Sequence, residues 1–236
     1  MTQAVDTIGL REPAMTSMQE MASRMWLPMF AMGAMVLLAA LVIGAVQSSF
    51  ASDLFELDKG ARDTVTGSLL DKQQFIETTN VWLPRFQLLG MGLMFGGITF
   101  LLATILGNLR LAGAMVQKQS GRRMLAPKPP WSAQLFPMLM MVGLMILIGA
   151  LVVSIVIATI ASDVFGNPIS TINAAESGSG LLGDFQDVKT FGAWLQAFAF
   201  TGLALVLSGI VLALYTISQV LRFQHGRIAQ MAKGAE

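Results

Sequence analysis

Charged positions are sparse along the chain, and where they vanish the apolar runs are long enough to cross a bilayer. Four such runs stand out, at about residues 26–50, 86–107, 135–160 and 195–221. A bilayer core about 30 Å thick is spanned by roughly 20 apolar residues in a helix. The pattern predicts an all-α membrane protein with four transmembrane helices.

The second and fourth runs belong to one repeated stretch. Residues 82–110 align without a gap on residues 194–222, and twelve of the 29 paired positions are identical. The matches include Trp82/Trp194, Gly90/Gly202, Gly97/Gly209 and Arg110/Arg222. Each copy opens on an interfacial tryptophan and closes on a cation, as an anchored span should. Ala51-Ser52-Asp53, at the end of the first run, recurs 110 positions later as Ala161-Ser162-Asp163. The duplicated unit is therefore a pair of helices.

Loop charge predicts the orientation. Between the second and third runs lie Arg110, Lys118, Arg122, Arg123 and Lys128 with no acid, whereas acids outnumber bases in the other two loops. The basic loop is expected to be cytoplasmic, and both termini with it. An even number of spans separates the copies, so two parallel, same-orientation repeated helical hairpins are expected, related by an axis along the membrane normal.

The expected organisation is a cytoplasmic segment over residues 1–25, a first hairpin over 26–119, a basic, proline-rich linker over 120–134 and a second hairpin over 135–236. Met15, Met18, Met21 and Met25 share one face of an interfacial amphipathic helix in the first segment. The second and fourth helices are expected to extend beyond the membrane, the fourth as a C-terminal cytoplasmic extension. In the first outer loop, Asp53 to Glu56 has capping-box spacing and residues 71–79 suit a helical turn. Residues 167–183, rich in Gly, Ser and Asn, are expected to be irregular.

Composition agrees. The chain is 54% hydrophobic and 12% charged, where soluble domains carry about 25% charged residues. A net charge of +1 without a basic cluster gives no footprint for nucleic acid. The absence of Cys excludes disulfides and thiolate clusters, a single His, His225, argues against metal centres built on two or more imidazoles, and no cofactor is expected.

Few residues offer chemistry. Asp53 and Asp163 occupy equivalent places and are weak candidates for an ion site; helix capping at the interface is the simpler reading. Methionine clusters at residues 25–35 and 138–145 could hold Cu(I), but without nearby Cys or His they suit helix and subunit contacts better. Small residues at close spacing, Gly90, Gly92, Gly96 and Gly97 with Gly202 and Gly209 in the second copy, predict close helix packing. No ionisable residue lies inside any apolar core, although coupled transporters and pumps usually need one. Motifs for nucleotide binding, hydrolysis and metalloprotease chemistry are missing.

The expectation is a non-catalytic protein of the plasma membrane, the inner membrane of a bacterium. Its role would be an accessory or scaffolding subunit of a larger membrane complex, in contact with lipids and with other integral membrane subunits or further copies of itself. The alternatives are a facilitator for a small neutral solute, lined by Ser, Thr and Asn, and a lipid- or quinone-binding subunit.

Overall fold

A computed structural model describes residues 17–119 and 131–233, with side chains over 20–109 and 131–226. Among the described residues every regular element is a helix: α1 Ser17–Phe55, α2 Lys59–Asp63, α3 Ser68–Gln119, α4 Ser132–Phe165, α5 Ile169–Asn173 and α6 Gly180–Lys233. Four of them, α1, α3, α4 and α6, are long and apolar enough to cross a membrane. The chain is an all-helical integral membrane protein.

The helices overrun the apolar runs at both ends. α3 has 52 residues and α6 has 54. At a rise of about 1.5 Å per residue each extends roughly 80 Å, well beyond the ~30 Å hydrocarbon layer. The expected turn at residues 71–79 is the opening of α3 and no separate element. Residues 17–25 likewise run into the first span without a break. The rest of the expected amphipathic segment, residues 1–16, and residues 120–130 of the linker lie outside the described residues.

Two expectations about the loops are corrected. Residues 167–183 are irregular only in part, since α5 forms within them and α6 has begun by Gly180. It spans residues 169–173, each 110 positions after a residue of α2. Nor does Asp53 cap a helix, because α1 continues through it to Phe55, as α4 continues through Asp163 to Phe165. The cap at this end is Asp58, whose carboxylate accepts the Ala61 N–H of α2 at 2.8 Å. Each loop then returns through a glycine at positive φ, Gly67 at 61° and Gly178 at 87°. Glycine has no β-carbon to oppose that backbone.

α1 runs antiparallel to α3: Trp26 meets Gly97, Gly33 meets Gly90 and Gln47 meets Asn80. α4 runs antiparallel to α6, with Phe136 at Gly209, Gly143 at Gly202 and Phe165 at Phe185. α4 also lies along α3, and α3 touches α6. The main core gathers there, around Leu88, Leu147, Ala150, Leu195 and Val206, and a smaller cluster of Leu106, Phe136 and Ala213 closes the other end.

α1 makes extensive contact with α3 alone. A closed twofold about α3 and α6 would set α1 against α6 as α4 is set against α3, so the two hairpins are not closed on each other about a twofold. The contacts inside the two hairpins are alike, so the difference lies between the hairpins: α4 packs along α3, and α1 does not pack in the same way along α6.

Candidate helix-packing site

The residues with least freedom are glycines where two backbones meet. A β-carbon on Gly33 would lie 2.7 Å from the Gly90 carbonyl oxygen and 2.6 Å from the Met94 nitrogen. On Gly143 it would lie 2.6 Å from the Gly202 carbonyl oxygen and 2.9 Å from the Val206 nitrogen. Real β-carbons do not approach so closely, so each contact is reserved for glycine.

The partners correspond. Gly90 faces Val36 and Leu37 while Gly202 faces Ile146 and Leu147; Gly97 faces Trp26 and Phe30 while Gly209 faces Phe136 and Met140. Every α4 residue in these pairs stands 110 positions after its α1 counterpart, and every α6 residue 112 after its α3 counterpart. Close backbone approach maximises dispersion contact, the main attraction left between helices once lipid replaces water. Gly92 and Gly96 lie on another face of α3, where they receive Leu147 and Leu144 of α4; Gly96 also receives Met29 of α1.

Polar groups in the spans are largely satisfied by their own helices. Thr99, Thr104, Ser154, Thr201 and Ser208 each donate to the carbonyl four residues earlier. Their hydroxyls thereby mask a backbone acceptor. A buried pair ties α4 to α6, with the Ser132 and Thr216 hydroxyl oxygens 2.7 Å apart. At the α2/α5 end, Gln74 of α3 donates to the Ser162 carbonyl and hydroxyl of α4 at 2.8 and 2.9 Å.

The two aspartates are handled differently. Asp53 accepts an ion pair from Lys72 of α3 at 2.5 Å, whereas Asp163 is exposed and its backbone carbonyl accepts from the Asn167 amide. Among the described residues no hydrogen bond joins one to the other. The methionines also divide: Met29 and Met140 are buried, while Met25, Met32, Met35, Met138, Met141 and Met145 face outward. His225 is exposed near the end of α6.

Arg85 went unnoticed in the sequence. It is 6% exposed between α3 and α6, donating to the Val81 carbonyl at 3.0 Å and to the Gly192 carbonyl of α6. Its Nε has no partner among the described residues. It lines a cleft of about 410 Å³ with Glu77, Asn80, Lys189 and Gln196. The signal was a departure from the repeat, since the second copy has Ala197 at this place. Gly33 and Gly143 were also missed; their 110-residue spacing matches that of the Ala-Ser-Asp motif.

No protein-family model, no curated protein and no solved structure matches the chain.

Proposed function

We propose that the protein is a non-catalytic scaffolding or accessory subunit of a membrane assembly, built from two same-orientation copies of a helical hairpin. Both termini lie on the cytoplasmic side of a bacterial inner membrane. The observation that carries the reading is the correspondence of glycine contacts, Gly33 with Gly90 and Gly143 with Gly202, register for register. It supports two hairpins packed by one rule. The α3–α6 contacts favour a common direction, since Arg85 meets Gly192 and, further along both helices, Leu109 meets Gln224.

The use of the polar side chains points the same way. Hydroxyls bonded to their own helices contribute to packing and present little to a passing solute. The buried arginine joins α3 to α6 through backbone carbonyls, a positioning role for a group that is costly to bury. The chain's functional surface is then its helix faces, which hold membrane partners by van der Waals packing.

The test replaces Asp53 and Asp163 together with Asn. A scaffold should assemble and support its host complex as the wild type does. Loss of function in a correctly assembled double variant would show that the carboxylates bind an ion and would overturn the scaffold reading.

A further inference from the structure

The contact between the two hairpins is one-sided. α3 presents Leu88, Gly92, Phe95, Gly96 and Thr99 as a stripe at helical spacing, and α4 packs along this side of α3, Leu147 meeting Gly92 and Leu144 meeting Gly96. The same positions on α6, 112 residues later, are Phe200, Ala204, Leu207, Ser208 and Val211, and all five are exposed. Leu88 is 4% exposed and Phe200 52%; Thr99 is 1% exposed and Val211 65%. The stripe that receives α4 in the first hairpin is bare in the second.

The opposite surface is bare in the first hairpin. Leu147 is 1% exposed, wedged between Gly202 of its own hairpin and Gly92 of the other. Its counterpart Leu37 has the equivalent of the first partner, Gly90, while the equivalent of the second, Ala204, is exposed on α6. Ser154 is fully buried on α4, whereas a β-carbon at its counterpart Gly44 would meet nothing within 4 Å. Phe165 is buried and its counterpart Phe55 is exposed.

A polar pair repeats in the same way. Gln74 and Ser162 join α3 to α4. Their counterparts are Gln186 and Ser52, the same two residue types, both exposed and without a side-chain hydrogen bond among the described residues. A glutamine and a serine kept at the two open ends, in the places where they meet in the closed contact, are what a second contact of the same kind requires.

We infer that the α6 stripe of one copy of this chain receives α1 of a second copy, reproducing between chains the contact that α3 and α4 make within one. Ala204 then meets Leu37 of the partner copy, whose flexible end turns aside from the alanine β-carbon, since a β-carbon at Gly92 would lie 2.3 Å from Leu147; Ser208 meets Ala34, and Gln186 bonds Ser52. The interface is heterologous: each copy uses α6 on one side and α1 on the other, so repetition yields a closed ring or an open row. Van der Waals packing of small and large side chains supplies the attraction, and the amide–hydroxyl pair fixes the register. This inference rests on the scaffold reading and names one partner, the chain itself.

The Cys-free chain allows a direct test in native membranes. With S52C and Q186C on one chain, oxidation should give a ladder of disulfide-linked dimers and larger species. When chains carrying only S52C are co-expressed with chains carrying only Q186C, linkage should stop at dimers, and either variant alone should give none. The pair Q74C/S162C is the control and should close within one chain, without change of size. The mass of the particle in mild detergent, by light scattering, decides the matter independently of disulfide geometry. It should exceed one chain and fall to one chain in G44L and in A204L, both substitutions at open positions that leave the fold intact. A wild-type particle containing a single copy of the chain, or a multimer unchanged in both variants, overturns the inference. A single copy that still purifies with other subunits would leave the scaffold reading standing, and a homomultimer that binds no other subunit would leave the self-contact standing.

Discussion

The Gln74 side chain of α3 donates to both the carbonyl and the hydroxyl oxygen of Ser162 in α4, at 2.8 and 2.9 Å. This polar link sets the register of two long apolar helices that could otherwise slide. It lies near the α2/α5 end, while the glycine contacts of Gly92 and Gly96 with Leu147 and Leu144 lie deeper along the same pair. Shape in the middle and hydrogen bonds at the end fix α3 against α4 together.

Glycine notches are the most sensitive positions. Gly33→Leu or Gly143→Leu would drive a side chain into the backbone of the facing helix. Overpacking typically costs about 1–3 kcal/mol, and backbone that cannot retreat puts these variants at or above the upper end. Gly149→Leu, where a β-carbon meets nothing within 4 Å, should accumulate normally. Thermal unfolding in detergent, with the amount of protein in the membrane, checks the contrast.

Arg85→Ala should loosen α3 from α6 at the cleft. It removes the donor to the Gly192 carbonyl, and a lost hydrogen bond from a charged group is worth about 1.5–3 kcal/mol. Arg85→Lys should not restore the wild type, because one ammonium lacks the planar fork that reaches two carbonyls on different helices. Neither change touches the α1–α3 contact. A lower unfolding midpoint for both variants, with cross-linking between α1 and α3 unchanged, is the expected result.

The exposed ion pair of Asp53 with Lys72 is a weak link. Its side chains are 46% and 30% exposed, and such pairs contribute about 0–1 kcal/mol. Asp53→Asn alone should leave the unfolding midpoint nearly unchanged, and raising the salt concentration should have as little effect on the wild type. A large loss of stability would mean that Asp53 does more than pair with Lys72.

Four helices and their approximate places were legible because absence of charge over about 20 residues has one common physical meaning. Helix ends were not. Gly/Ser/Asn content marks residues 167–183 as loop, yet Ile169–Asn173 forms α5. A short helix carries too little apolar periodicity to show in sequence. Asp53 and Glu56 have the spacing of a cap, but α1 had not ended there. Capping residues mark a boundary only where the preceding segment has already left helical geometry. Gly90, Gly97, Gly202 and Gly209 could be found because both members of each pair survive in the repeat. Gly33 and Gly143 could be found only by carrying the 110-residue offset back through the first span. Which faces meet depends on side-chain placement across helices, and no periodicity along one helix contains it.

Topology is open to labelling. Cysteines introduced singly at Ser120 and Ser177 should react from opposite sides of the membrane, Ser177 from outside intact cells and Ser120 only after permeabilisation. Reaction of both with an impermeant reagent applied outside would contradict cytoplasmic termini and the common orientation of the hairpins.

The scaffold claim is tested most directly by purifying the full-length chain from native membranes in mild detergent and identifying everything that remains bound, alongside solute uptake by the purified chain in liposomes. The account predicts a stable assembly of defined composition, disrupted when Ala204 on the open α6 stripe becomes Leu, and no uptake by the chain alone. A solitary chain that carries a neutral solute across the liposome membrane would contradict it.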